Sequence, residues 1–303
     1  MRTDLEILKI TVSVYAFIFA GAGLLTLIFR KTNWGRNIIA AILMWLVIFV
    51  LFISTSFAGW IPFCILIMLI SYGAIREFYK MNGVFTRSSM FMASLLLVMM
   101  ALAIGFDQKF LFYCIPGLAV FLLIPVHMFS HSYEQITRSV SIQLLGITYW
   151  GWLMMHFLLL RRLECGFGAI VVLATMIALN DNSAYYFGKL LGKNSPKMSP
   201  RISPGKTWVG FCGGCLASLV AVFAFSYALP PLAVHYRILL GIAVALSIPL
   251  GDIIESAMKR DAGVKDSGNL IPGHGGVMDR FDSWAFTAPV VYYSLVILSL
   301  IKA

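Results

Sequence analysis

Apolar stretches of roughly twenty residues follow one another along the whole chain, separated by short polar breaks. A helix rising about 1.5 Å per residue needs that length to cross a hydrocarbon layer about 30 Å thick. The pattern predicts ten spans, near 7–29, 38–56, 60–76, 89–106, 110–126, 140–160, 166–187, 208–229, 237–257 and 284–301. The expected fold is all-α: a polytopic integral membrane protein with about ten transmembrane helices, nine if two weak N-terminal spans merge. No polar block is long enough to fold as a soluble domain. The first apolar stretch lacks a strongly basic start and a small-x-small cleavage site, so it is expected to be a retained helix rather than a signal peptide.

Composition sharpens this picture. Of 303 residues 60% are hydrophobic and 12% charged, and the formal net charge is +10; the mean hydropathy is +0.89. The positive charge does not point to nucleic acid. Alternate loops, starting with 30–37, hold most of the 23 Lys and Arg, which is the distribution the positive-inside rule produces. On that rule the loops 188–207 and 258–283 face the cytoplasm and both termini lie outside. Five cysteines are scattered through apolar helices. Cys212 and Cys215 have CxxC spacing, but Gly213-Gly214 lie between them and no second pair or nearby His completes a zinc set, so helix packing through small residues is expected there.

The chain divides into hydrophobic helices over 1–165 and a region over 166–303 that is expected to be catalytic, because seven of the 13 acidic residues fall after position 180. Charge near a bilayer is costly, so clusters there are candidate sites. The densest runs from Gly251-Asp252 and Glu255 through Ser256, Lys259-Arg260-Asp261 and Lys265-Asp266 to His274, Asp279-Arg280 and Asp282. Asp279 and Asp282 share one side if that segment is helical, and Ser256 and Lys259 share a helix face with Asp252. Carboxylates suit a hard cation such as Mg²⁺; Lys259, Arg260 and Arg280 suit phosphate. His274, flanked by glycines, is a candidate ligand contact or acid–base group. Asp181 lies deep in an apolar segment and should face the bundle interior; a carboxylate that only pairs helices together is the bland reading. Ser203-Pro204-Gly205-Lys206-Thr207 resembles a phosphate loop, but Pro200 stands where such a loop needs Gly. Opening a helix, it offers either free N–H groups for phosphate or an ordinary helix cap.

Spaced positions Ser256, Lys259, Arg260, Lys265, Asp266, Gly268, Ile271, Pro272, His274, Gly275, Gly276, Asp279, Arg280 and Asp282 resemble the signature of phosphatidate cytidylyltransferases, also called CDP-diacylglycerol synthases. The segments from Asp181 and from Ser203 are similar to two further elements of that family, in the same order. The resemblance covers about residues 170–290; earlier, only Arg76-Glu77 resembles an acidic position in an early helix. It implies a membrane nucleotidyltransferase making CDP-diacylglycerol and pyrophosphate from CTP and phosphatidic acid in phospholipid biosynthesis. It implies Mg²⁺, with K⁺ as a second cation; Asp252, Asp279 and Asp282 as metal ligands; Lys259 and His274 beside them in catalysis; and Asp181, Ser203, Lys206, Thr207, Ser256, Arg260, Lys265 and Arg280 against the substrates. It also implies a homodimer. Apart from the resemblance, the spread of basic residues leads us to expect no nucleic-acid partner, and the compact loops without a targeting segment lead us to expect a bacterial inner membrane, with the site facing the cytoplasm by the positive-inside rule. The alternatives are a related enzyme on another lipid (an archaeol-type cytidylyltransferase or a polyprenol kinase) and a transporter, against which the lack of an internal repeat counts.

Overall fold

The computed structural model describes residues 2–29, 33–128, 135–268 and 275–302, with their side chains except at 22, 24–29, 33–44 and 299–302. A helix lies in each of the ten expected intervals: α1 (Asp4–Phe29), α2 (Asn33–Ala58), α3 (Trp60–Met81), α4 (Arg87–Gly105), α5 (Lys109–Met128), α6 (Ile136–Arg161), α7 (Gly166–Leu190), α8 (Trp208–Ala224), α9 (Val234–Asp261) and α10 (Met278–Lys302); α8 stops five residues short of the expected 229. Among the described residues seven of these, α3 to α7 with α9 and α10, are long and apolar enough to cross a membrane. A two-stranded antiparallel hairpin, β1 (Lys197–Ser199) with β2 (Ser203–Thr207), precedes α8 and pairs Lys197 with Thr207 and Ser199 with Ser203.

The distribution of side chains follows from lipid as solvent. Phe17, Phe110 and Phe121 are 83%, 82% and 76% exposed, an arrangement that water would penalise and acyl chains do not. α7 is the opposite case: every residue from Gly166 to Ala178 is buried, as expected of a helix apolar on all sides at the centre of a bundle. An aromatic knot ties the two halves of the chain together. Phe52 of α2 packs on Trp284 of α10 at 4.5 Å between ring centres and stacks on Phe281, with Phe63 and Phe157 against its edges.

Backbone groups freed within helices find partners, which a bilayer interior demands. Pro116 removes the N–H that would bond Phe112 O, and the Trp152 indole N–H donates to that oxygen at 3.2 Å. Pro249 likewise frees Ala245 O, which faces Cys215 Sγ at 3.8 Å. At one end of the bundle Arg161 donates to Ser56 O, and Arg162 to Ile104 O and Gly105 O, neutralising the last carbonyls of α2 and α4. The polar ends of α3, α7, α9 and α10 meet at the other.

Candidate functional site

The hairpin forms one wall of the site. Of the two readings left open for the start of α8, the structure takes the helix cap. Trp208 N–H donates to Pro196 O at 3.1 Å, Val209 N–H to Ser195 Oγ at 3.2 Å and Gly210 N–H to Thr207 Oγ1 at 3.1 Å. Thr207 is thus a buried helix cap, and the first turn of α8 has no N–H group left over for phosphate. The strand geometry instead projects Lys206 across to α9. Its Nζ contacts Asp252 Oδ2 at 2.5 Å and lies 3.5 Å from Pro249 O.

This ion pair borders an open cavity of about 400 Å³, within the range of small-molecule sites, between α7, the hairpin and α9. Asp181, Tyr185, Lys197, Ser203, Lys206 and Asp252 line it. Asp181, Asp252 and Asp282 lie within Coulombic reach of one another, with Lys206 and Arg280 as nearby positive charges. Tyr185 and Phe211 add aromatic surface to the lining, and Tyr185 is 57% exposed.

A second ion-pair group lies one helix turn further along α9. Lys259 Nζ contacts Glu255 Oε2 at 2.8 Å and Asp279 Oδ1 at 2.6 Å. Asp279 Oδ2 accepts the Gly276 N–H at 2.8 Å, the Ser267 N–H at 3.0 Å and the Ser267 hydroxyl at 2.9 Å. Asp279 and Asp282 do not share a helix face as the three-residue spacing suggests. Phe281, with φ −116° and ψ 17°, breaks α10 between them because its ring is held in the aromatic knot. Asp282 therefore sits at the entry to the longer helical stretch, where its carboxylate accepts the Ser283 N–H at 2.7 Å. Gly251 brings the two acidic helices together. A Cβ there would come within 2.8 Å of Asp282 O and 2.9 Å of Ser283 Cα, so α9 crosses α10 where only glycine fits.

Ser256 Oγ reaches back one turn to Asp252 Oδ1 at 3.4 Å, as the shared face predicts. Arg260 is exposed and donates to Ile202 O and Val264 O, fastening the end of α9 to the hairpin. Lys265 is exposed on the loop after α9. His274 lies outside the described residues. Four residues with no role assigned from the sequence also join the site. Glu77 of α3 reaches Ser267, Val277 and Met278, and its signal was present: a carboxylate near the end of an apolar run. Glu255 is signalled by its i,i+4 spacing to Lys259. Ser267 and Tyr149 carry no such mark; Tyr149, from a π-helical turn in α6 (Ile147–Leu153), donates to Gly251 O at 3.4 Å.

Among the described residues no three acidic, His or Cys side chains form a ready-made metal cage. The donor chemistry nevertheless fits a hard cation. The acidic side chains offer only oxygen, and Asp252 and Asp279 each already hold a cationic ammonium. Glu255 is fully buried, and its Oε1 has no hydrogen-bond partner among the described residues, an oxygen whose chemistry suits a hard cation or a further donor.

The sequence matches the Cytidylyltransferase family over residues 38–298. It is 35% identical to a phosphatidate cytidylyltransferase of Bacillus subtilis over 82% of this chain and 94% of that one. A protein of the same name from Synechocystis is 33% identical over 79% of this chain and 90% of its own. Similarity to YnbB of Escherichia coli is 42% over 48% of this chain and 51% of that protein, so the chain matches about half the length of that relative.

Proposed function

This chain belongs to the Cytidylyltransferase family, and we propose that it is a membrane enzyme transferring the cytidylyl group of CTP to phosphatidic acid. A phosphate oxygen of phosphatidic acid bonds to the α-phosphorus of CTP, the α–β bridging P–O bond breaks, and pyrophosphate leaves with the electron pair. CDP-diacylglycerol is the lipid product. Catalysis of such a transfer rests on holding two anions in line and neutralising their charge. The observation that carries the reading is the Lys206–Asp252 pair beside a cavity whose other walls are Asp181 and Ser203.

Lys206 and Lys259 are half-buried cations already placed by carboxylates, so they are poised to exchange those partners for phosphate oxygens. Ser203 and Ser256 add hydroxyls, and Arg280 and Arg260 add charge at the rim. Mg²⁺, with K⁺ as its companion, would be held by Asp252 with Asp279 and Asp282, each now balanced by a lysine or by N–H donors. Bound there, it would supply charge neutralisation of the phosphates. The exposed Tyr185 in the cavity lining supports sideways entry of the lipid, while the hairpin side would admit CTP from water. The clustering of basic loops supports a site facing the cytoplasm of a bacterial inner membrane.

The test is purified protein in vesicles containing phosphatidic acid with Mg²⁺ and each labelled nucleoside triphosphate in turn. CTP alone should yield a lipid-linked nucleotide and one equivalent of pyrophosphate. No product, or equal labelling from all four nucleotides, overturns the reading.

A further inference from the structure

Glu77 stands near the polar end of α3, 5% exposed, and it touches chain some two hundred positions away. Its Oε1 accepts the Val277 N–H at 3.0 Å, and its Oε2 accepts the Met278 N–H at 2.9 Å. These are N–H groups at the start of α10, which have no intrahelical acceptor; a carboxylate from another helix caps them. Oε2 also lies 3.1 Å from Ser267 Oγ. Glu77 therefore holds Ser267 on one side and Val277 and Met278 on the other. The fit is close: a Cβ on Gly276 would come within 2.3 Å of Oε2.

Ser267 carries the contact onward. Its hydroxyl faces Glu77 Oε2 at 3.1 Å and Asp279 Oδ2 at 2.9 Å, and its N–H donates to the same Asp279 oxygen at 3.0 Å. One hydroxyl proton serves two carboxylates, so the position of each depends on the other. Asp279 in turn holds Lys259. A chain of hydrogen bonds thus runs from the N-terminal helices to the charged centre.

We propose that Glu77 is a positioning residue for nucleotide transfer, acting through Ser267 and the start of α10 on Asp279 and Lys259. The proposal rests on the function argued above. Glutamine at this position keeps the shape but turns an NH₂ toward one of the N–H donors, so one cap becomes a donor–donor clash.

The experiment compares wild type, E77Q, S267A and the double variant for kcat, KM for CTP, and the rate of tryptic cleavage after Lys265. E77Q should lower kcat about 100-fold, the cost of misplacing catalytic groups by about 1 Å, with KM for CTP held within about threefold. S267A should lower kcat in the same way but less, and the double variant should be no worse than E77Q, because both act on one path. Cleavage after Lys265 should be at least about tenfold faster in E77Q. Wild-type kcat in both single variants, or losses that multiply in the double variant, overturns the proposal. If E77Q does not accumulate, S267A decides alone: a normal kcat overturns the proposal. If wild type forms no CDP-linked lipid, the functional reading fails, and the tryptic rates then judge whether Glu77 holds the loop, with equal rates overturning it.

Discussion

Lys206 and Asp252 are the more exposed of the two ion-pair groups, with side chains 19% and 35% accessible, and they border the cavity directly. Asp252→Asn leaves Lys206 with a neutral partner and removes a carboxylate from the cation site. Transfer from CTP should fall about 10³-fold while the protein stays folded in the membrane, measured by initial rate at matched protein level. Lys206→Ala should raise KM for CTP about tenfold, worth about 1.4 kcal/mol; unchanged KM and kcat would remove Lys206 from the site. Lys259 is more deeply set, between Glu255 and Asp279. Lys259→Ala strands two carboxylates and should cost about 3–5 kcal/mol of stability as well as activity, read as a lowered thermal midpoint in detergent. Most of these side chains were legible from sequence because a charge in an apolar chain is conspicuous. Their partners were not. Nothing in the spacing says that Asp279 spends one oxygen on Lys259 and the other on Gly276 and Ser267.

Helix boundaries came out close to the apolar pattern, since length and hydropathy dictate where a chain can cross a bilayer. Two local elements departed from it. The Ser203–Thr207 stretch forms a strand whose neighbours cap α8, because Ser195, Pro196 and Thr207 fold back onto that helix start. The segment holding Asp279 and Asp282 breaks at Phe281, because packing of its ring on Phe52 and Trp284 outweighs continuous helix. The crossing of α9 over α10 at Gly251 gives a test at this level. Gly251→Ala places a methyl against Asp282 O and Ser283, so the helices must part. The expected cost is about 1–3 kcal/mol of stability, with activity falling at least about tenfold, checked by thermal midpoint and initial rate on one preparation. Full activity at an unchanged midpoint would mean that this contact does not set the site.

Taken together, the cavity opens between α7, the hairpin and α9 at the end of the bundle where the polar ends of α3 and α10 also meet α9, and the arginine-capped carbonyls of α2 and α4 close the other end. A chelator should therefore abolish transfer without unfolding the protein, and added Mg²⁺ should restore it; activity persisting in excess chelator would exclude the acidic centre as a cation site. The sequence alone determined the membrane class, the helical intervals, the family resemblance and the identity of most charged candidates. Each of these follows from local hydropathy or from spaced residues within one stretch of chain. Only the tertiary structure decided which charges meet. Glu77 and Asp279 are joined through Ser267, Tyr149 reaches Gly251, and Lys206 finds Asp252. Those pairings arise where helices distant in sequence pack side by side, and a bilayer interior, offering no water, makes an unpaired polar group costly and so favours such partners.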